Sequence, residues 1–185
     1  MRVIAGSRRS MPLKAPAGLD TRPTQDRTKE TLFNVLQNSI PGCVFADLFS
    51  GSGGIGIEAL SRGARHAYFV ENGRQAIACI KDNLNFTKFQ NDSTVMECDV
   101  LFALEKLKSE KEIDVIFMDP PYNSGLEAAV LKALSNMSYV TEYTDIVVES
   151  LLDTDFSYLD ELGLEIYKVK KYKTNQHVFI RRSDD

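Results

Sequence analysis

The sequence predicts an α/β domain: a mostly parallel, seven-stranded sheet, covered by helices on both faces and finished by an antiparallel edge hairpin. Three observations predict it. Short apolar runs alternate with helical patterns from residue 44 to residue 148, and that rhythm places parallel strands beneath covering helices. A glycine-rich stretch, Gly51-Ser52-Gly53-Gly54-Ile55-Gly56, joins the first run to the first of these helices. The rhythm breaks at the end, where two strand-like stretches flank a polar turn, as in an antiparallel pair.

Residues 1–16 read as a small β-hairpin, with Arg2-Val3-Ile4-Ala5, a Gly6-Ser7 turn and a basic arm through Arg8, Arg9 and Lys14. Thr24 is a candidate cap for a helix whose apolar stripe is Leu32, Phe33, Val35 and Leu36, with Pro41-Gly42 as its stop. Strands follow at 44–49, 67–70, 94–98, 113–118 and 146–148. Between them lie helices at 55–62, closed by Gly63, at 74–84, along Leu101, Leu104 and Leu107, and at 126–134. The closing hairpin pairs 164–169 with 178–180. A chain of 185 residues reads as one domain, 1–185, with 1–23 a basic hairpin extension and 24–185 a catalytic core.

No apolar run reaches membrane-spanning length, and the start, Met1-Arg2-Val3-Ile4-Ala5-Gly6, is not a signal peptide. Cys43, Cys79 and Cys98 are scattered among apolar neighbours, which predicts reduced thiols in a cytoplasmic protein and no metal site. The net charge is −4, against a general nucleic-acid coat, but its distribution is uneven. Residues 1–30 carry seven Lys/Arg and three Asp/Glu, 31–167 carry nine and 21, and 168–183 carry six and none. Basic ends beside an acidic middle suit a polyanion gripped locally.

Gly51, Gly53 and Gly56 fit G-x-G-x-x-G between a strand and a helix, the context in which backbone can approach a nucleotide closely. Glu71 ends the second strand about twenty residues further on, where a carboxylate can take ribose hydroxyls. Asp99 ends the third. Ligands of open α/β sheets lie at the carboxyl ends of the strands, so Asp47, the glycine turn, Glu71, Asp99 and Asp119 are expected to rim one crevice. This much fits a dinucleotide or S-adenosylmethionine equally.

Asp119-Pro120-Pro121-Tyr122, at the end of the fourth strand, separates the two. The prolines fix the chain's path, so the Asp119 side chain and the Pro120 carbonyl become rigid acceptors, and Tyr122 can stack on a planar base. Two acceptors holding the protons of an aryl-type amine favour a pyramidal nitrogen whose lone pair faces a sulfonium methyl, with Asp119 able to take the proton. Adenine N6, guanine N2 and a protein glutamine all remain open acceptors for such a turn. A nicotinamide enzyme explains the glycines but not this turn, and a non-catalytic RNA-binding relic is the alternative from another class.

These motifs, with Thr21-Arg22-Pro23-Thr24-Gln25-Asp26-Arg27-Thr28-Lys29-Glu30-Thr31-Leu32-Phe33-Asn34 and Glu58-Ala59-Leu60-Ser61-Arg62-Gly63-Ala64, resemble the bacterial RsmD family of 16S rRNA guanine-N2 methyltransferases over nearly the whole chain. The resemblance implies a Rossmann-like class I methyltransferase fold, S-adenosylmethionine as donor leaving as S-adenosylhomocysteine, and a guanine in a loop of 16S rRNA as acceptor. It implies action as a monomer on the assembled or assembling small subunit during ribosome maturation, with no metal and no membrane. By position, Asp119, Pro120 and Tyr122 would be catalytic. Asp47, Phe49, Gly51, Gly53, Glu71, Asn72, Asp99 and Val100 would hold the cofactor, and Arg8, Arg9, Lys14 and Arg22 the RNA. Ser50 stands where the family often has Ala, and Gly73 where it usually has a charged residue.

Overall fold

A computed structural model describes residues 1–16, 23–122 and 124–183. The sheet has seven strands in the order β3-β2-β1-β4-β5-β7-β6. Five are parallel: β1 (Val44–Asp47), β2 (His66–Glu71), β3 (Ser93–Glu97), β4 (Val115–Met118) and β5 (Asp145–Leu151). β6 (Leu164–Lys171) and β7 (Asn175–Arg182) form the antiparallel edge, with β7 against β5. The α/β fold class with its edge hairpin is therefore as the sequence pattern predicts.

β1 and β4 are buried at every position, because helices cover both faces of the sheet. On one face pack α1 (Pro23–Val35), α2 (Gly54–Ser61) and α3 (Arg74–Thr87), through Leu32, Phe33, Ile57, Leu60, Ile80 and Leu84. On the other pack α4 (Val100–Lys106) and α5 (Leu126–Leu134), through Leu104, Val130, Leu131 and Leu134. Among the described residues no helix is long and apolar enough to cross a membrane.

The N-terminal hairpin forms but is short: the Leu13 amide donates to the Met1 carbonyl (2.9 Å), the Val3 amide to the Met11 carbonyl (3.0 Å) and the Ser10 amide to the Val3 carbonyl (2.8 Å). Only one antiparallel bridge forms, Arg2 with Pro12, and residues 6–8 make a single 3-10 turn. Glu58 on α2, which is fully buried, holds the first half of the hairpin against the domain. Its carboxylate accepts from the amides of Ile4 (2.8 Å) and Ala5 (3.0 Å), just where the cross-strand pairing ends. Two departures concern α1, which starts at Pro23, so Thr24 lies inside it, and which ends at Val35, before Pro41-Gly42. Proline suits the first helical position because it lacks only an amide hydrogen that would go unused there.

Candidate active site

The strand ends build the site. β1 delivers Asp47 beneath the glycine turn, where Gly51 and Gly53 take positive φ, at 54° and 80°. A Cβ on Gly56 would stand 2.4 Å from the Phe69 ring, so α2 can lie against β2 only with glycine there. A Cβ on Gly51 would meet nothing within 4 Å, because that position opens on a crevice.

This crevice holds about 570 Å³, within the range of small-molecule sites. Phe49, Gly51, Glu71, Asn72, Asp99 and Val100 line it, as do Asp119, Pro120 and Tyr122. Asp47, which is buried, and Gly53 are not part of this lining. Arg22 falls outside the described residues.

Glu71 does more than the sequence suggests. Its Oε2 accepts from the Gly51 amide (2.9 Å), and its Oε1 from the amides of Asn72 (3.0 Å) and Gly73 (2.8 Å). A carboxylate offers about four lone-pair positions, so about one remains for an outside donor. Taking both ribose hydroxyls at once, as expected from sequence, therefore requires one amide to let go. Asp99 lies beyond β3 rather than within it and caps α4, its Oδ1 accepting from the Leu101 amide at 2.9 Å.

A row of ionisable groups crosses one face of the sheet near these ends. Alternate residues of a strand share a face. Asp47 pairs with Phe117, Phe117 with Val147, and Val147 with Phe179. Two positions further along β4 and β5 stand Asp119 and Glu149, and Glu149 pairs with His177 of β7. Asp47 is buried, with Oδ2 accepting from the Gly56 amide at 3.3 Å and Oδ1 without a hydrogen bond. Burial pushes its pKa up to about 7; the Gly56 and Phe49 amides oppose the shift and the Glu71 charge adds to it. Asp119 is also held above the ordinary carboxylate range, first by loss of bulk water, then by the charges of Glu149 and Asp47. Water reaches Asp119 through the crevice while protein encloses its other sides, which moderates the effect of burial.

The Glu149–His177 unit is absent from the sequence-based expectations. Glu149 Oε2 lies 3.0 Å from His177 Nε2, and the Asn175 amide donates to Oε1. His177 Nδ1 lies 3.0 Å from the Tyr172 hydroxyl, whose pKa burial pushes up to about 12, so that the hydroxyl stays protonated and donates. His177 Nε2–H therefore points at Glu149. The available signal is a lone carboxylate inside the apolar run Ile146-Val147-Val148-Glu149.

Glu149 faces a second pocket, of about 400 Å³, which shares the wall Pro120-Pro121-Tyr122 with the crevice and whose other lining residues include Glu127, Asp153, Asp155 and Tyr158. Among the described residues, no Lys or Arg lines either pocket. Two raised carboxyls and an orphaned buried oxygen favour a ligand carrying positive charge and do not favour a pyrophosphate.

The expected RNA-binding cations are not gathered at the crevice. The Arg8 amide donates to Ser61 Oγ and its Nε to the Thr87 carbonyl (2.7 Å), with its guanidinium over the Phe89 ring. Ser61 and Thr87 are the last residues of α2 and α3, so Arg8 ties the arm to the far end of α2, about 10 Å along that helix from the glycine turn. Lys14 pairs with Asp82 at 2.8 Å, and Arg9 is exposed on the same turn as Arg8. The β6–β7 turn, by contrast, lies at the crevice end of the sheet, since Leu151 pairs with Asn175. Lys173 lies in this turn and Lys170 and Lys171 end β6 just before it; the three make no ion pair with the described residues.

Comparison with known proteins adds four findings. Residues 1–181 match the family model described as "Conserved hypothetical protein 95". YlbH of Bacillus subtilis (strain 168) is 41% identical over 150 residues, 80% of this chain and 82% of its own. "Ribosomal RNA small subunit methyltransferase D" of Escherichia coli (strain K12) is 34% identical over 150 residues, 81% of this chain and 74% of its own. Among solved structures, yhhF from Escherichia coli superposes with a TM-score of 0.83 at 28% identity, over 100% of this chain and 99% of that one.

Proposed function

The chain belongs to the RsmD family, and from that premise we propose that it transfers a methyl group from S-adenosylmethionine to the exocyclic N2 of a guanine in 16S rRNA. The observation that carries the reading is the wall Pro120-Pro121-Tyr122, which the two pockets share. A donor in the crevice and a base in the second pocket would meet at Asp119.

The crevice suits the donor. Among the described residues its lining has acids and no Lys or Arg, which matches a sulfonium with an ammonium group better than the pyrophosphate of a nicotinamide cofactor. When bound, S-adenosylmethionine supplies an electrophilic methyl carbon on sulfur. Phe49 and the turn at Gly51 and Gly53 would seat its methionine part above Asp47, Glu71 and Asn72 its ribose, and Asp99 with Val100 its adenine.

Asp119 and the Pro120 carbonyl hold the two N2 protons, and Tyr122 stacks on the base. So held, the N2 lone pair would be aimed at the donor's methyl carbon, whose bonding electrons would leave with sulfur as the thioether. The surplus N2 proton passes to Asp119 and then to water. The substrate is the assembled or assembling small subunit, approached by a monomer whose residues 24–185 form the catalytic core.

The test uses purified protein, labelled S-adenosylmethionine and small subunits from a strain lacking the gene. The expected product is N2-methylguanosine in 16S rRNA, at a nucleotide that the same digest maps. Titration calorimetry should show S-adenosylhomocysteine binding and no binding of NADH. Absence of any methylated guanosine would reject the proposal.

A further inference from the structure

Resting on the guanine-N2 reading, we infer that Glu149, held by His177 and Asn175, is the specificity-determining residue that accepts the N1–H of the target guanine. Met118 and Val148 are the last paired residues of β4 and β5, so Asp119 and Glu149 follow side by side, one strand spacing apart, roughly 5 Å. Both point to the same face of the sheet, and the charge of Glu149 lies close enough to Asp119 to help raise the Asp119 carboxyl. The pair is thus a fixed edge of two acceptors.

Guanine presents the matching edge. Its N1–H and N2–H groups are neighbouring donors, so a base whose N2 sits at Asp119 turns N1–H toward β5. Adenine and cytosine present an amino group beside a ring nitrogen that carries a lone pair. Placed the same way, that lone pair faces the Glu149 carboxylate and is repelled. Asp119 and Pro120 recognise any exocyclic amine; Glu149 asks whether the adjacent ring nitrogen bears a proton. The same pocket wall contributes Tyr122 and Tyr158 for the base plane and no cation that would neutralise Glu149.

Glu149 is kept ready for this contact. His177, 1% exposed, and Asn175 each occupy one lone pair of a different oxygen. Each oxygen keeps a second acceptor position, and the side chain cannot swing away without breaking both bonds. His177 and Asn175 act through Glu149 and are positioning residues.

The experiment uses small subunits reconstituted on 16S rRNA that carries either guanosine or 2-aminopurine riboside at the mapped nucleotide. 2-Aminopurine keeps the 2-amino group and replaces N1–H by a lone pair. The wild-type protein is expected to methylate guanosine at least about 100-fold more efficiently in kcat/KM, since a site built for a donor rejects the analogue lacking it. Glu149→Gln, whose amide can donate as well as accept, should narrow that ratio to roughly tenfold or less while leaving S-adenosylhomocysteine affinity unchanged. Equal use of both bases by the wild-type protein, or an unchanged ratio in Glu149→Gln, overturns the inference. Neither result touches the guanine-N2 activity, which the guanosine arm reports by itself.

Discussion

Asp119 and Glu149 stand side by side at the carboxyl ends of β4 and β5, one position beyond the paired Met118 and Val148. Two carboxyls so placed raise the cost of ionising each other, and Asp119 is held above its ordinary range. As an acceptor of amino protons it acts when ionised. Guanine kcat/KM should therefore rise with pH along a limb lying above pH 4, where an unperturbed aspartate titrates. Glu149→Gln removes the nearest like charge, so the limb should move to lower pH, whatever the amplitude that remains. A limb at the same pH in both proteins contradicts the coupling.

Asp47 makes a separate prediction about stability. Its folded pKa is raised to about 7, so ionisation is disfavoured in the folded state. Its contribution is complete below the unfolded value near 4 and is lost as pH climbs through 7. Asp47→Asn lacks this loss and keeps an oxygen for the Gly56 amide. Between pH 4 and pH 8 the stability difference should move toward the variant by on the order of 2–4 kcal/mol. Urea unfolding across that range checks it, and parallel curves would contradict it.

Glu58 anchors the N-terminal arm from inside the domain. It takes the Ile4 and Ala5 amides and also pairs with Lys29 (3.3 Å) and Arg62 (2.8 Å). Lys29 is itself buried, its pKa lowered by that burial and pulled back by Glu58. Glu58→Ala strands a buried cation and two amides and should cost about 3–5 kcal/mol. Amide hydrogen exchange over residues 3–13 should quicken more than exchange in β4. Unchanged protection of the arm would show that something else holds it.

For RNA, Lys170, Lys171 and Lys173 offer cations at the crevice end of the sheet that make no ion pair with the described residues. Charge reversal at Lys170, Lys171 and Lys173 should weaken rRNA binding. It should also reduce the salt dependence of log K by about 0.7 for each phosphate of single-stranded RNA left without its lysine. Arg8→Ala should lower stability, because Arg8 holds the Thr87 carbonyl, and leave that slope unchanged. The opposite pattern returns the RNA grip to the N-terminal arm.

The parallel sheet and its crevice were legible because local pattern determines them. Strand-helix alternation and the glycine turn are short-range signals, and α5 runs over Leu126–Leu134, the span read from sequence. What escaped depends on partners distant in the chain. Ile4 and Ala5 look like strand until Glu58, more than fifty residues away, takes their amides. Glu149 and His177 meet only through the β5–β7 register, and no spacing in the sequence announces it. Arg8 reads as a free cation until α3 supplies the Thr87 carbonyl.

The most direct test of the central claim is mass-spectrometric nucleoside analysis of 16S rRNA from unmethylated small subunits, after incubation with S-adenosylmethionine and either wild-type protein or Asp119→Ala. The account predicts N2-methylguanosine with the wild-type protein. Asp119→Ala should slow its formation by about 10²–10⁴-fold, with S-adenosylhomocysteine binding retained. A wild-type product methylated on another base or atom, or an Asp119→Ala protein as fast as wild type, would contradict it.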